Sequence, residues 1–201
     1  MAKILISSLG TGVLKKNTST REYSKAVYRF SDSGKEYKTS FVAAALSEHI
    51  EVDKLYLVGT SKSMWEEVYS HFASVSDQSL DQDYWVELGE KVASFQVGQP
   101  NINEDDLRTV NKAIDGYLKF LRNSATGGSH CFIIDYGLNE KELWSNFDVF
   151  MRIADNLEEG DEIYLDITHA FRSIPLFMYL MLDLIKILNS NKNFKIAGFY
   201  Y

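Results

Sequence analysis

The segment Glu162–Pro175 limits the folds open to this chain more than any other. Glu162-Ile163-Tyr164-Leu165-Asp166-Ile167 is a run of mostly apolar, β-prone residues. It gives way at once to the polar groups of Thr168, His169, Arg172 and Ser173. Ser173 and Pro175 then open a long apolar segment that reaches Leu188 at helical spacing. The order is strand, short polar loop, helix start. In an open α/β sheet, such junctions lie beyond the carboxyl ends of the strands, where ligands bind. The loop brings a carboxylate, a hydroxyl, an imidazole and a guanidinium to a helix N-terminus, whose free N–H groups favour anions.

The rest of the chain repeats that order. Lys3–Leu9 predicts a buried strand running into Ser7-Ser8-Leu9-Gly10-Thr11-Gly12, a small-residue loop whose N–H groups can approach a phosphate closely. Alone it reads equally well as a plain turn, because it lacks both the third glycine of a dinucleotide fingerprint and the Gly-Lys-Ser/Thr of a P-loop. Lys54–Val58 predicts a second strand, followed by Gly59-Thr60-Ser61-Lys62-Ser63-Met64-Trp65. That loop suits a helix cap at Ser61 or Ser63, and its hydroxyls could equally face a ligand. His130–Tyr136 and Phe194–Tyr201 are further strands; Tyr23–Phe30 with the turn Ser31–Gly34 predicts a strand or short hairpin.

Helices are expected from Thr39 or Ser40 to His49, over Asp81–Phe95, over Glu104–Leu121 and over Glu140–Leu157. The last of these places Leu143, Phe147, Phe150, Met151, Ala154 and Leu157 on one face, with Gly160 ending it. Gln96–Asn103, with Pro100, is a break between helices, and Ser124–Ser129 a flexible link. Alternating β and α segments imply an α/β, Rossmann-like fold: a mostly parallel sheet with helices on both faces. Its three loops, Ser8–Gly12, Gly59–Trp65 and Asp166–Ser173, would leave on one edge as a polar crevice, the default ligand site.

Composition narrows the partners. A net charge of −7 argues against binding long nucleic acid, which depends on many Lys/Arg–phosphate contacts. The single cysteine, Cys131, lies in an apolar run and reads as a buried, inert thiol in a reducing cytoplasm. Met1–Leu9 lacks the charge and length of a signal peptide, and the sequon Asn17-Thr18-Ser19 is taken as without meaning. The most hydrophobic segment, Ile174–Leu182, is broken by Asp183 and Lys186, short of the ~20 apolar residues that span a bilayer. There is no Gly-x-Ser-x-Gly elbow and no His/Cys cluster with metal-ligand spacing. Ile174–Leu188 is apolar nearly all round, which implies either a dimer interface or deep burial within one chain.

Asp166-Ile167-Thr168-His169-Ala170-Phe171-Arg172-Ser173 resembles the DxTHG signature of the CRISPR-associated Rossmann-fold (CARF) sensor proteins, with Ala170 where that pattern has glycine. Ser7–Gly12, the Tyr23…Tyr28 region with Gly34, and Gly59-Thr60…Trp65 resemble the family in the same order, so the similarity covers essentially the whole chain. The resemblance implies a single sensor domain over residues 1–201 with a helical insertion at about 77–125. The chain stops on Phe199-Tyr200-Tyr201, where family members usually continue into an output domain, so that effector domain is expected to be absent or removed.

It further implies a homodimer that binds one cyclic oligoadenylate across its two-fold axis, with no other cofactor, no metal, no long nucleic acid and no membrane. Family members receive that messenger when an RNA-targeting CRISPR complex detects its target, and binding switches on an attached effector, frequently an RNase. The ligand-binding residues expected here are Ser8, Gly10, Thr11, Gly12, Thr60, Ser63, Thr168, His169 and Arg172. Thr11 with the N–H groups of Gly10 and Gly12 would hold a phosphate or ribose, and Thr60 and Ser63 would add hydroxyls. Thr168 would face the ligand. His169 would donate to a phosphate or a 2′-OH, or be a locally bonded structural residue. Arg172 would pair with a phosphate or with Asp166. Asp166 itself would fix the loop by accepting backbone N–H bonds, and Trp65 would pack in the core rather than stack on adenine.

Some CARF domains cleave the ring, so a stand-alone ring nuclease is the alternative, with Thr11 and His169 as catalytic candidates. Cleavage would need a 2′-OH aligned with the neighbouring phosphorus and stabilisation of developing charge. An unrelated Rossmann-like enzyme acting on a mononucleotide is the third reading. A methyl group at Ala170 would bear on loop shape or accepted ring size wherever the family glycine permits close approach.

Overall fold

The computed structural model describes residues 1–14, 21–31, 33–76, 79–94, 102–169, 178–180, 183–184, 187 and 193–201. Arg172, Ala170, the sequon at 17–19, Pro100 and most of the expected last helix lie outside them. The described residues of that helix, 178–180, 183, 184 and 187, are helical.

Five apolar runs form the central sheet: β1 (Lys3–Leu9), β6 (Lys54–Thr60), β7 (His130–Ile134), β8 (Glu162–Asp166) and β9 (Lys195–Tyr200), in the order β7-β6-β1-β8-β9. Every pairing is parallel. The alternation of side chains along β1 serves two cores. Leu5 and Leu9 meet Trp65, Val68, Phe72 and Ile114 on one face, whereas Ile4 and Ile6 meet Val149, Phe150, Ile153 and Met178 on the other. The first core belongs to α1 (Val42–Ile50), α2 (Trp65–Val75), α3 (Gln82–Ala93) and α4 (Arg108–Leu121), the second to α5 (Glu140–Asp155) and the last helix. The chain winds outward from β1 through β6 to β7, then returns across β1 to lay down β8 and β9. The topological switch point therefore falls between β1 and β8.

Between β1 and α1 the chain adds β2 (Val13–Leu14), antiparallel to β3 (Arg21–Glu22), and a hairpin of β4 (Ala26–Arg29) and β5 (Glu36–Thr39). The hairpin matches the reading of Tyr23–Gly34, while β2 and β3 carry no period of their own in the sequence.

Helix starts differ from expectation in places. Asp81, Asn103 and Asn139 cap α3, the 3-10 turn Glu104–Leu107 that leads into α4, and α5. The expected cap at Thr39 or Ser40 is not formed: Thr39 Oγ1 accepts from Phe41 N–H, and α1 starts behind Phe41 with no side-chain cap. Neither Ser61 nor Ser63 caps α2, which begins behind Met64. The buried face of α5 is set by Asn146, Val149, Phe150, Ile153 and Ala154, so Leu143 points outward, 44% exposed. Asn156, not Gly160, closes α5. Cys131 is fully buried and its thiol is pushed up by that burial.

Candidate functional site at the switch point

β6, β1 and β8 are neighbours and parallel, so their carboxyl ends deliver Thr60–Met64, Gly10–Gly12 and Ile167–His169 to one edge. The β1–β8 pair is closed by Asp166. Its carboxylate is fully buried and accepts from Ser7 Oγ at 2.5 Å, from Thr168 N–H at 3.0 Å and from Thr168 Oγ1 at 2.6 Å. Asp166 thus holds its own loop by accepting a backbone N–H, as expected, and also ties that loop to β1. Ser8 is buried too, with its hydroxyl directed at the Asp166 carbonyl, 3.4 Å away. Thr168 spends its hydroxyl proton on Asp166, which leaves its oxygen as an acceptor. Thr168 and His169 are both exposed. Gly10 abuts His169: a Cβ built on it would lie 3.7 Å from His169 Cβ and carbonyl oxygen. Beneath them a cavity of about 20 Å³ is lined by Ser7, Ser8, Gly10, Tyr23, Phe41 and His169. That is room for a water-sized group and far below the several hundred Å³ of a small-molecule pocket. The described residues form a floor, on which a ligand would lie rather than sink.

The loop after β6 is bound into the same floor from below. Ser63 is fully buried, accepts from Thr60 N–H at 3.1 Å and donates to the Leu9 carbonyl at 3.1 Å. Thr60 is 1% exposed and its Oγ1 accepts from Lys62 N–H at 3.3 Å. Trp65, fully buried, donates Nε1–H to the Thr60 carbonyl at 3.0 Å and packs in the core. Thr60 and Ser63 therefore build the loop, whereas Thr168 and His169 are exposed and Thr11 is half-buried. Gly12 has φ +73°, and a Cβ there would lie 2.4 Å from Met64 Sδ and 3.1 Å from the Glu22 carbonyl oxygen. Only a glycine lets the first loop turn in this way under Met64.

Two residues of this edge were not identified from the sequence. Tyr23 donates its hydroxyl proton to the Gly10 carbonyl at 2.7 Å and accepts from Met64 N–H at 3.2 Å. Arg21 Nη1 donates to the carbonyls of Thr11, at 2.7 Å, and Lys62, at 2.6 Å. Each joins two loops, and burial raises the Tyr23 phenol. The Tyr28 phenol is raised by burial and then by the charge of Asp166. Among the described residues no group of three or more His, Cys, Asp or Glu side chains could hold a metal ion, and no helix is long and apolar enough to cross a membrane.

This architecture, a switch-point floor carrying Asp-x-Thr-His, can be set against known families. A family model for the CARF domain of the CRISPR system endoribonuclease Csx1 matches residues 4–201. The chain belongs to this Csx1 CARF-domain family. It is also 44% identical, over its entire length, to the CRISPR-associated protein MJ1674 of Methanocaldococcus jannaschii. The chain spans 31% of the length of that protein. As a CARF domain it shows how the Asp-x-Thr-His block is used locally: the aspartate holds β8 to β1, and the threonine and histidine are carried past the strand end to the surface.

Proposed function

We propose that this domain is a sensor of CRISPR signalling that binds cyclic oligoadenylate, one ring lying across the two-fold axis of a homodimer. The observation that carries the reading is the meeting of the first and third loops at the switch point, where Gly10 abuts His169 and both Thr168 and His169 are exposed. A second copy facing the first would supply the opposite wall. Thr11, with the N–H groups of Gly10 and Gly12, takes a phosphate or ribose, Thr168 offers its oxygen as an acceptor, and His169 donates to a phosphate or 2′-OH. Arg172, just beyond the described residues, pairs with a phosphate. Ser8, Thr60 and Ser63 shape the floor. The dimer reading draws on the last helix, where Leu180, Leu184 and Ile187 are 53%, 37% and 69% exposed at helical spacing.

Incubation of the purified chain with cyclic tetra-adenylate and cyclic hexa-adenylate tests the proposal. A thermal shift with the ring recovered intact supports a sensor. Linear products that vanish in Thr11→Ala or His169→Ala would instead make the same floor a ring nuclease. Absence of both binding and turnover with either ring refutes both.

A further inference from the structure

Arg21 opens β3, outside every motif loop, yet its side chain lies across two of them. Both of its bonds leave from Nη1, one to the Thr11 carbonyl and one to the Lys62 carbonyl. The two protons of that nitrogen are thereby used. A guanidinium carries five N–H donors in a rigid plane, so the protons on Nη2 and Nε remain. Among the described residues they have no hydrogen-bond partner, and no carboxylate lies within ion-pair distance. The bond to Lys62 is on the exposed side of the loops. The carboxylate of Glu66, which feels Arg21 electrostatically, is raised by its burial to about 7, so it neutralises the guanidinium poorly. A fixed positive charge thus stands at the lip of the floor in a chain whose net charge is −7.

The geometry points to Arg21 as an anion subsite of this floor: its two loop bonds hold the guanidinium in place, and its outer edge takes a phosphodiester group of the bound nucleotide. The inference rests on the reading of the floor as a nucleotide site. It adds a cation supplied by β3, outside the Asp-x-Thr-His block. A planar fork bonded on one side and open on the other is pre-organised for phosphate, which lowers the entropy lost on binding.

The test compares wild type, Arg21→Gln and Arg21→Lys. Binding of cyclic tetra- and hexa-adenylate is measured between 50 and 300 mM salt, and the melting temperature without ligand is recorded for each. Arg21→Gln keeps a side chain able to bond one loop carbonyl but has no charge. We expect it to bind at least tenfold more weakly, with the slope of log affinity against log salt flatter by about 0.7 per lost phosphate contact. Arg21→Lys keeps the slope and loses less affinity. A purely structural clamp would lower the melting temperature and leave the slope unchanged. Equal affinity and equal slope in wild type and Arg21→Gln overturn the inference.

Should wild type bind neither ring, the sensor reading fails and tripolyphosphate serves as the anion probe. A thermal shift in wild type that Arg21→Gln loses keeps the anion subsite. An equal shift in both, or none in either, removes it.

Discussion

Replacing Asp166 by alanine deletes the acceptor of three hydrogen bonds at the centre of the β1–β8 junction. Ser7 is 1% exposed, so its hydroxyl cannot turn to solvent once the carboxylate is gone. The Thr168 hydroxyl is exposed and finds water again, so it contributes little to the loss. Two bonds remain in the ledger, Ser7 Oγ–H and Thr168 N–H to a charged acceptor, each worth about 1.5 kcal/mol at the low end of the range. The expected loss is about 3 kcal/mol, which for a domain of this size lowers the melting temperature by about 6–12 °C. Asp166→Asn keeps the shape and an acceptor for Thr168 but turns an amide NH₂ toward Ser7, whose hydroxyl must reverse and accept. It should lose about 1 kcal/mol. Urea unfolding followed by far-UV circular dichroism, with the denaturant slope unchanged, measures both, and hydrogen exchange at Thr168 N–H should lose protection in the alanine variant. An alanine variant within 0.5 kcal/mol of wild type would refute the assignment of Asp166 as the tie between these loops.

Glu104 receives Arg152 through both terminal nitrogens at 2.6 and 2.8 Å. Burial alone would raise its carboxyl, but the bonds from Arg152, then from His130 and from Ile133 N–H, outweigh that and bring it from 4.5 down to about 2. Because the folded value is the lower one, its stabilisation is complete above about pH 4.5 and is lost as pH falls toward 2. Glu104→Gln should be less stable at pH 7 and show a flatter acid limb in a series of melting temperatures. His71 is lowered by burial, then by the charge of Lys25, from 6.5 to about 4. Protons therefore bind the unfolded chain first, and stability falls as pH drops from 6.5 to 4; His71→Phe, packed against Phe41 and Phe72, should flatten that interval. Gly59→Ala would set a Cβ 2.7 Å from Cζ2 of the fully buried Trp65, and should destabilise by about 2–3 kcal/mol in the same urea assay.

The parallel sheet was legible because strands buried on both faces are continuous apolar runs, as in Leu55-Tyr56-Leu57-Val58, and the runs of β1, β6 and β8 lead into loops of Gly, Ser and Thr. Since such strands share a direction, placing three of their loops on one edge needed only that inference. What was not legible depends on partners far away in the chain. Thr60 and Ser63 look like hydroxyl donors from composition. The local pattern does not show that both are buried, with Ser63 Oγ bonded to Thr60 N–H and the Leu9 carbonyl and Thr60 Oγ1 accepting from Lys62 N–H. Arg21 and Tyr23 lie in a stretch without a period, and nothing local says that their side chains reach Lys62 and Met64. Leu143 fits an apolar stripe by spacing, yet the stripe that meets the sheet is shifted to Asn146, whose amide bonds Asp135 N–H and carbonyl at 2.7 and 2.9 Å. A polar residue with buried work of that kind is invisible to a hydrophobic pattern.

The central claim is that two copies of this floor enclose one cyclic, multiply charged nucleotide. Isothermal titration with cyclic tetra- and hexa-adenylate, combined with the mass of the complex in solution, tests it most directly. Saturation at half a ring per chain, in a species of twice the chain mass, is the expected result. Saturation at one ring per chain in a monomer, or no heat with either ring, would contradict it.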